Sequence, residues 1–78
     1  MLDQFELKLL KGAKILAFKM VDASPYIWVL SPETEEYESR YFILVGTGFE
    51  IDIPECQLNF IDTVIDGKFV WHLFEDIT

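Results

Sequence analysis

Histidine and cysteine are nearly missing from this chain of 78 residues, which carries one of each, His72 and Cys56. A lone cysteine excludes an internal disulfide framework and fits a reducing cytoplasm. Its setting, Pro54-Glu55-Cys56-Gln57, puts a carboxylate beside the thiol and discourages thiolate formation, so a nucleophilic role is not expected. Zinc wants three or four His, Cys or carboxylate ligands at workable spacing, and this pair makes no such set. No metal and no cofactor are therefore expected. Basic residues are scarce as well: six Lys and Arg against fourteen Asp and Glu give a net charge of −8. That charge repels a phosphate backbone and excludes direct nucleic-acid binding by counterion release. No apolar run approaches the length of a membrane span, and no basic segment followed by an apolar one opens the chain. The expectation is a cytoplasmic protein with no membrane partner.

What is present is strand-forming sequence, most clearly in LNFIDTVIDGKFVWHLF over residues 58–74. Asp66-Gly67 between two β-branched and aromatic runs predicts a hairpin closed by a two-residue type I′ turn. With that pair as the loop, Ile65 faces Lys68, Val64 faces Phe69 and Asp62 faces Trp71. Alternation then gathers Leu58, Phe60, Val64, Phe69, Trp71 and Leu73 on a core face. Ile61, Val70, His72 and Phe74 fall on a second face, too apolar for water alone and expected to be partly covered.

Upstream, residues 4–10 alternate as a first strand, and KILAFKMV over residues 14–21 reads as a second. Asp22-Ala23-Ser24-Pro25 turns into a third, YIWVL, at residues 26–30. After an acidic loop, residues 39–45 (RYFILV with Ser39) are apolar on both faces, which predicts a central strand covered on both sides. Gly46-Thr47-Gly48 ends it, and residues 49–54 alternate briefly as a short strand before the hairpin. The result is a single domain, all-β, a small antiparallel β-sandwich or half-open barrel of six to seven strands with no convincing helix. A chain this short buries only about 60% of the surface its unfolded form exposes. Hydrophobic residues nevertheless make up 51% and aromatics 15%. That surplus points to a homo-oligomer, which completes a core one chain cannot close.

Candidate contact residues are few, and each has a structural reading beside the functional one. His72 is the sole histidine on a strand, where a hydrogen-bonded structural role competes with that of a base lacking an identified orienting partner. Gly46-Thr47-Gly48 is either a plain turn or a backbone nest for an anion. Asp62 falls on the apolar face, where a bare carboxylate is costly. It must pair with a basic group or donor, or mark where that face meets a ligand. Arg40 is a candidate contact for a ligand at the glycine loop. Tyr26, Trp28, Tyr41, Ile61, Val70 and Phe74 are the aromatic and apolar residues expected at an interface. The run Glu33-Thr34-Glu35-Glu36-Tyr37-Glu38 is either a solvated loop or an array of carboxylates at phosphate-like spacing.

The ordered landmarks KGAKIL, the Trp28 strand with its polar loop, LVGTGFEID and FVWHLFE resemble a family of small phage and prophage proteins, a domain of unknown function, over residues 5–75. The ending matches at His72, Leu73, Phe74 and Glu75, and the loop at Gly46, Thr47 and Gly48. Phe49 stands where the family pattern has histidine, which removes one partner of a two-histidine site reaching His72. The resemblance implies a phage or prophage origin and a role in the relationship with the host, and it carries no activity with it.

No Ser-His-Asp set, Cys-His pair or two-carboxylate cleft assembles from these residues, so an enzyme is not expected. Three readings follow. The first is a homo-oligomeric interaction module that binds a host protein or a small ligand through its aromatic second face. Another is a small-molecule binder that sequesters a nucleotide-like signal at a subunit interface, using the loop 46–48 with Arg40 and Lys68. The last is an acidic nucleic-acid mimic that inhibits a host defence protein.

Overall fold

The computed structural model describes residues 2–22, 24–46, 48 and 52–77. Six strands run β1 (Leu2–Leu10), β2 (Lys14–Val21), β3 (Ser24–Leu30), β4 (Tyr37–Gly46), β5 (Leu58–Asp66) and β6 (Phe69–Asp76), with one 3-10 turn at Glu55–Gln57 before β5. All pairings are antiparallel. Four strands form a sheet in the order β1-β4-β6-β5, and β2 and β3 form a separate ribbon. The fold is all-β, two sheets in layers, and the two do not close into a barrel.

The strand apolar on both faces, β4, is an interior strand as its composition demands. Phe42 (1% exposed) lies on the side facing the ribbon, and Ile43 (2%) and Val45 are buried on the other. Phe5 of β1 pairs with Phe42 in register and stacks on it, ring centroids 5.5 Å apart. The core between the layers is built on Phe18 of β2, Phe42, Val64 of β5 and Leu73 of β6. Leu7, Ile15, Ile27 and Trp71 pack around it.

Several expectations are corrected at the strand ends. β3 starts at Ser24, so Pro25 lies within the ladder opposite Met20 rather than in the turn. Proline is tolerated there because β3 is an edge strand. The acidic run is shorter as a loop than its sequence suggests, since Tyr37 and Glu38 already pair with Leu10 and Leu9. Of the short strand expected over 49–54, residues 49–51 lie outside the described set and 52–54 carry no strand.

The closing hairpin exists, but its register is displaced by two. Asp66 pairs with Phe69, which makes Gly67-Lys68 the loop, and Val64 faces Trp71 while Asp62 faces Leu73. Gly67 has φ 60° and Lys68 does not have positive φ. Positive φ at the first central residue alone is the pattern of a type II′ turn, not the I′ turn that Asp-Gly suggests. A register shift between Phe60 and Asp62 leaves Ile61 as an extra residue. This bulge reverses the alternation. Phe60 is therefore turned out of the expected core face, 55% exposed with its ring edge-on to Phe74, and Ile61 is turned in against the core.

Candidate functional site

A second bulge lies in β2, between Ile15 and Ala17, and it occurs on the strand that approaches β5. Paired bulges bend the two edges toward each other, as happens at the corners of orthogonal sheet packings. Main-chain pairing does not bridge this corner; a side chain does. Asp62 projects from β5 and accepts the N–H of Phe18 at 3.3 Å and the N–H of Thr63 at 2.8 Å, with Lys19 Nζ 3.7 Å away. Burial opposes ionisation of this carboxyl, but the two N–H donors and the Lys19 charge outweigh it and hold its pKa below the usual range.

Arg40 sits in β4 opposite Leu7, on the face that looks at the ribbon. Its Nε and Nη2 donate to Glu75 Oε2 and Oε1, both at 2.6 Å, and Nη1 donates to the carbonyl of Ala13. Both side chains are largely buried. The fork geometry is the strong bidentate form of an arginine–carboxylate pair. The hydrogen bond to Glu75 raises the guanidinium pKa; burial opposes this, and the charges of Glu75 and Glu38 add to it. The group clamps β4, β6 and the turn that leads into β2. It forms one wall of a depression of about 440 Å³ shared with Lys14, Ile15, Asn59 and Ile61. With Glu75 across its fork, Arg40 presents no open bidentate face to an anion in that depression.

Within one chain Arg40 lies away from Gly46, the start of the loop grouped with it as a nucleotide-like site. Gly46 closes β4 opposite Trp71, six residues along the strand from Arg40, which is about 20 Å at the usual strand rise. Thr47 lies outside the described residues. Gly48 has φ 94°, a value that favours glycine, and open space surrounds the position of its missing Cβ. Lys68 belongs to the hairpin turn. His72 pairs with Val45 and Thr63, and its Nδ1 is 2.9 Å from Thr63 Oγ1. Among the described residues no group of three or more His, Cys, Asp or Glu is placed to hold a metal ion, and no helix is long and apolar enough to cross a membrane.

Five of the six interface candidates divide between two outer surfaces. Tyr26 and Trp28 share the outward face of the ribbon, 50% and 46% exposed, with centroids 6.1 Å apart and exposed Leu30 beyond them. Tyr41, Val70 and Phe74 lie on the opposite side of the molecule, on the outer face of the four-stranded sheet. Ile61 belongs to neither, for the reason the bulge supplies. Glu75 was missed as a site residue, although an arginine on an otherwise apolar strand face demands a carboxylate partner and Glu75 shares a face with Leu73.

Comparison with curated proteins and with solved structures returned no match. A family model does match, that of a domain of unknown function (DUF7352), across residues 1–78. The chain, with its two layered sheets and its clamp of Arg40 on Glu75, belongs to that family.

Proposed function

We propose that this protein is a non-enzymatic, homo-oligomeric interaction module of phage or prophage type, acting on a host protein in the host cytoplasm. The observation that carries the reading is the amount of surface. One chain exposes 5669 Å², whereas a folded monomer of 9.1 kDa is expected to expose about 4,900 Å². The fold is a slab with Cα extents of 40 × 32 × 15 Å. Its radius of gyration, 13.1 Å, exceeds the value of about 11.5 Å for a compact chain of this length. The excess is comparable to what one partner hides in an interface of standard size, about 800 Å². Large apolar and aromatic side chains stand on the surface, with Tyr26, Trp28, Tyr41, Phe60 and Ile65 all at least 46% exposed.

The non-enzymatic part is supported by how the polar groups are employed. Arg40, Glu75 and Asp62 are engaged in bonds that hold strands together. The phage setting is supported by the sequence landmarks, and the cytoplasm by the single thiol, which is exposed at Cys56.

Light scattering over a concentration series tests the reading. A mass of two chains or more is expected. A mass of one chain at every concentration would overturn it.

A further inference from the structure

We infer that β1 is the seam of self-association, pairing antiparallel with β1 of a second copy about a two-fold axis at Leu7 and making one eight-stranded sheet. The inference rests on the self-association reading above and deepens it by naming the surface and the register. Four observations converge on this edge.

First, β1 is the one edge among the described residues that carries neither a bulge nor a proline. It pairs with β4 over nine consecutive residues with no register shift, and no strand pairs with its other side. The remaining edges carry the usual protection: β5 is bulged and covered at Asp62 by β2, β2 is bulged, and β3 carries Pro25 in its ladder.

Second, the direction of its free hydrogen-bonding groups is fixed. The Lys11 N–H donates to the Glu36 carbonyl, continuing the β1–β4 register. Residues along a strand alternate in the side to which their N–H and C=O point. The odd-numbered residues of β1 therefore bond to β4, and Gln4, Glu6 and Lys8 direct theirs outward, while the Leu10 carbonyl accepts the N–H of Ala13 in the turn. A second strand can pair only in registers that set these outward residues opposite one another.

Third, charge selects among those registers. A two-fold at Glu6 sets Glu6 against the partner's Glu6, and one at Lys8 sets Lys8 against the partner's Lys8; a two-fold at Phe5 sets Glu6 against Gln4. With the two-fold at Leu7, Glu6 faces the partner's Lys8 and Lys8 faces the partner's Glu6, each in a hydrogen-bonded pair, and the exposed side chains are of opposite sign. Asp3 then faces Lys11 of the partner subunit.

Fourth, the opposite face of the same register is apolar. Leu7 meets the partner's Leu7, and Phe5 meets the partner's Leu9, in the closer non-hydrogen-bonded pairs. Phe5 and Leu7 already form one wall of an apolar groove of about 380 Å³, completed by Phe18, Pro25, Ile27 and Leu44. The added strand lengthens that wall with a second set of the same side chains. Because the seam is isologous, assembly closes at two chains.

The test is a charge swap on the intact protein, read by light scattering, with circular dichroism to confirm that strand content is unchanged. Glu6 and Lys8 are exposed, so their replacement leaves the core untouched. Glu6→Lys and Lys8→Glu each create two like-charge pairs and should weaken the dimer about tenfold or more. The double variant E6K/K8E restores the opposite signs and should restore the dimer. Single swaps that leave a wild-type oligomer unchanged, or a double variant that does not recover, would overturn the β1 seam while leaving self-association standing. A wild-type chain that is monomeric throughout would overturn both.

Discussion

The main-chain N–H of Phe18 donates to the carboxylate of Asp62, and this bond spans the corner where the two sheets approach. In a closed barrel a strand backbone would accept that N–H. Here a side chain takes the place of the ladder, which is why the sheets stay separate and yet remain docked.

This arrangement predicts an acid-sensitive corner. The Asp62 carboxyl titrates below its unfolded value, so it stabilises the fold above the unfolded carboxylate pKa of about 3.9, and the contribution is lost as pH falls through the folded value. Asp62→Asn should be less stable than wild type at neutral pH. The gap between the two should narrow below about pH 4 in urea titrations across a pH series. A gap independent of pH would show that the charge is not what matters.

The clamp of Arg40 on Glu75 predicts a strong asymmetry between single and double replacements. Arg40→Met leaves a buried carboxylate without its partner and should cost about 3–5 kcal/mol, whereas R40M/E75L removes both charges and should recover most of that loss. Chemical denaturation of the four proteins in the cycle measures the difference. Equal losses in the single and double variants would contradict it.

Phe18 is 2% exposed and joins the ribbon to the sheet. Phe18→Ala should cost about 3–5 kcal/mol, a large share of the roughly 4–12 kcal/mol expected for a domain of this length. Calorimetry should show a greatly lowered midpoint or no cooperative transition at all. A midpoint within a few degrees of wild type would place the core elsewhere.

Gly67→Ala isolates a backbone effect. Nothing lies within 4 Å of the added Cβ, so the cost comes from φ 60° alone and should be about 1–2 kcal/mol. A loss below a few tenths in denaturant titration would show that the hairpin relaxes into another turn.

The turn residues also show how much of this fold was legible in the sequence. Asp66-Gly67 located the hairpin, but Gly67 can serve as the second residue of one turn type or the first of another, and the two readings differ by two residues in register. A shift of two preserves the faces, so Val64, Trp71 and Leu73 still face the core. The bulge was not legible because Phe60 and Ile61 are both large and apolar, and a core can accept either. Both faces of β4 announced its interior position. The pairing of β1 with β4 had no such signal, since it depends on where the ribbon packs. At the candidate site, Asp62 was marked by being a carboxylate on an apolar face, but its donor came from another sheet, which no local pattern encodes. Of the residues grouped for an anion site, Arg40 and Gly46 lie on one strand and are separated by its length, which their closeness in sequence does not reveal.

The strand order β1-β4-β6-β5 carries a further consequence, for the time course of folding. The β2–β3 and β5–β6 hairpins join neighbours in the chain and can form within about 1–10 μs. β1 reaches β4 only across the whole ribbon and the acidic loop, so its docking bears the larger closure entropy. β1 is therefore expected to be the last strand to dock. Pulse-labelled hydrogen exchange should find its amides protected after those of β6, and the reverse order would refute this sequence of events. An edge completed last is also an edge that appears only on finished molecules, so a strand that pairs with it meets a chain whose folding has ended.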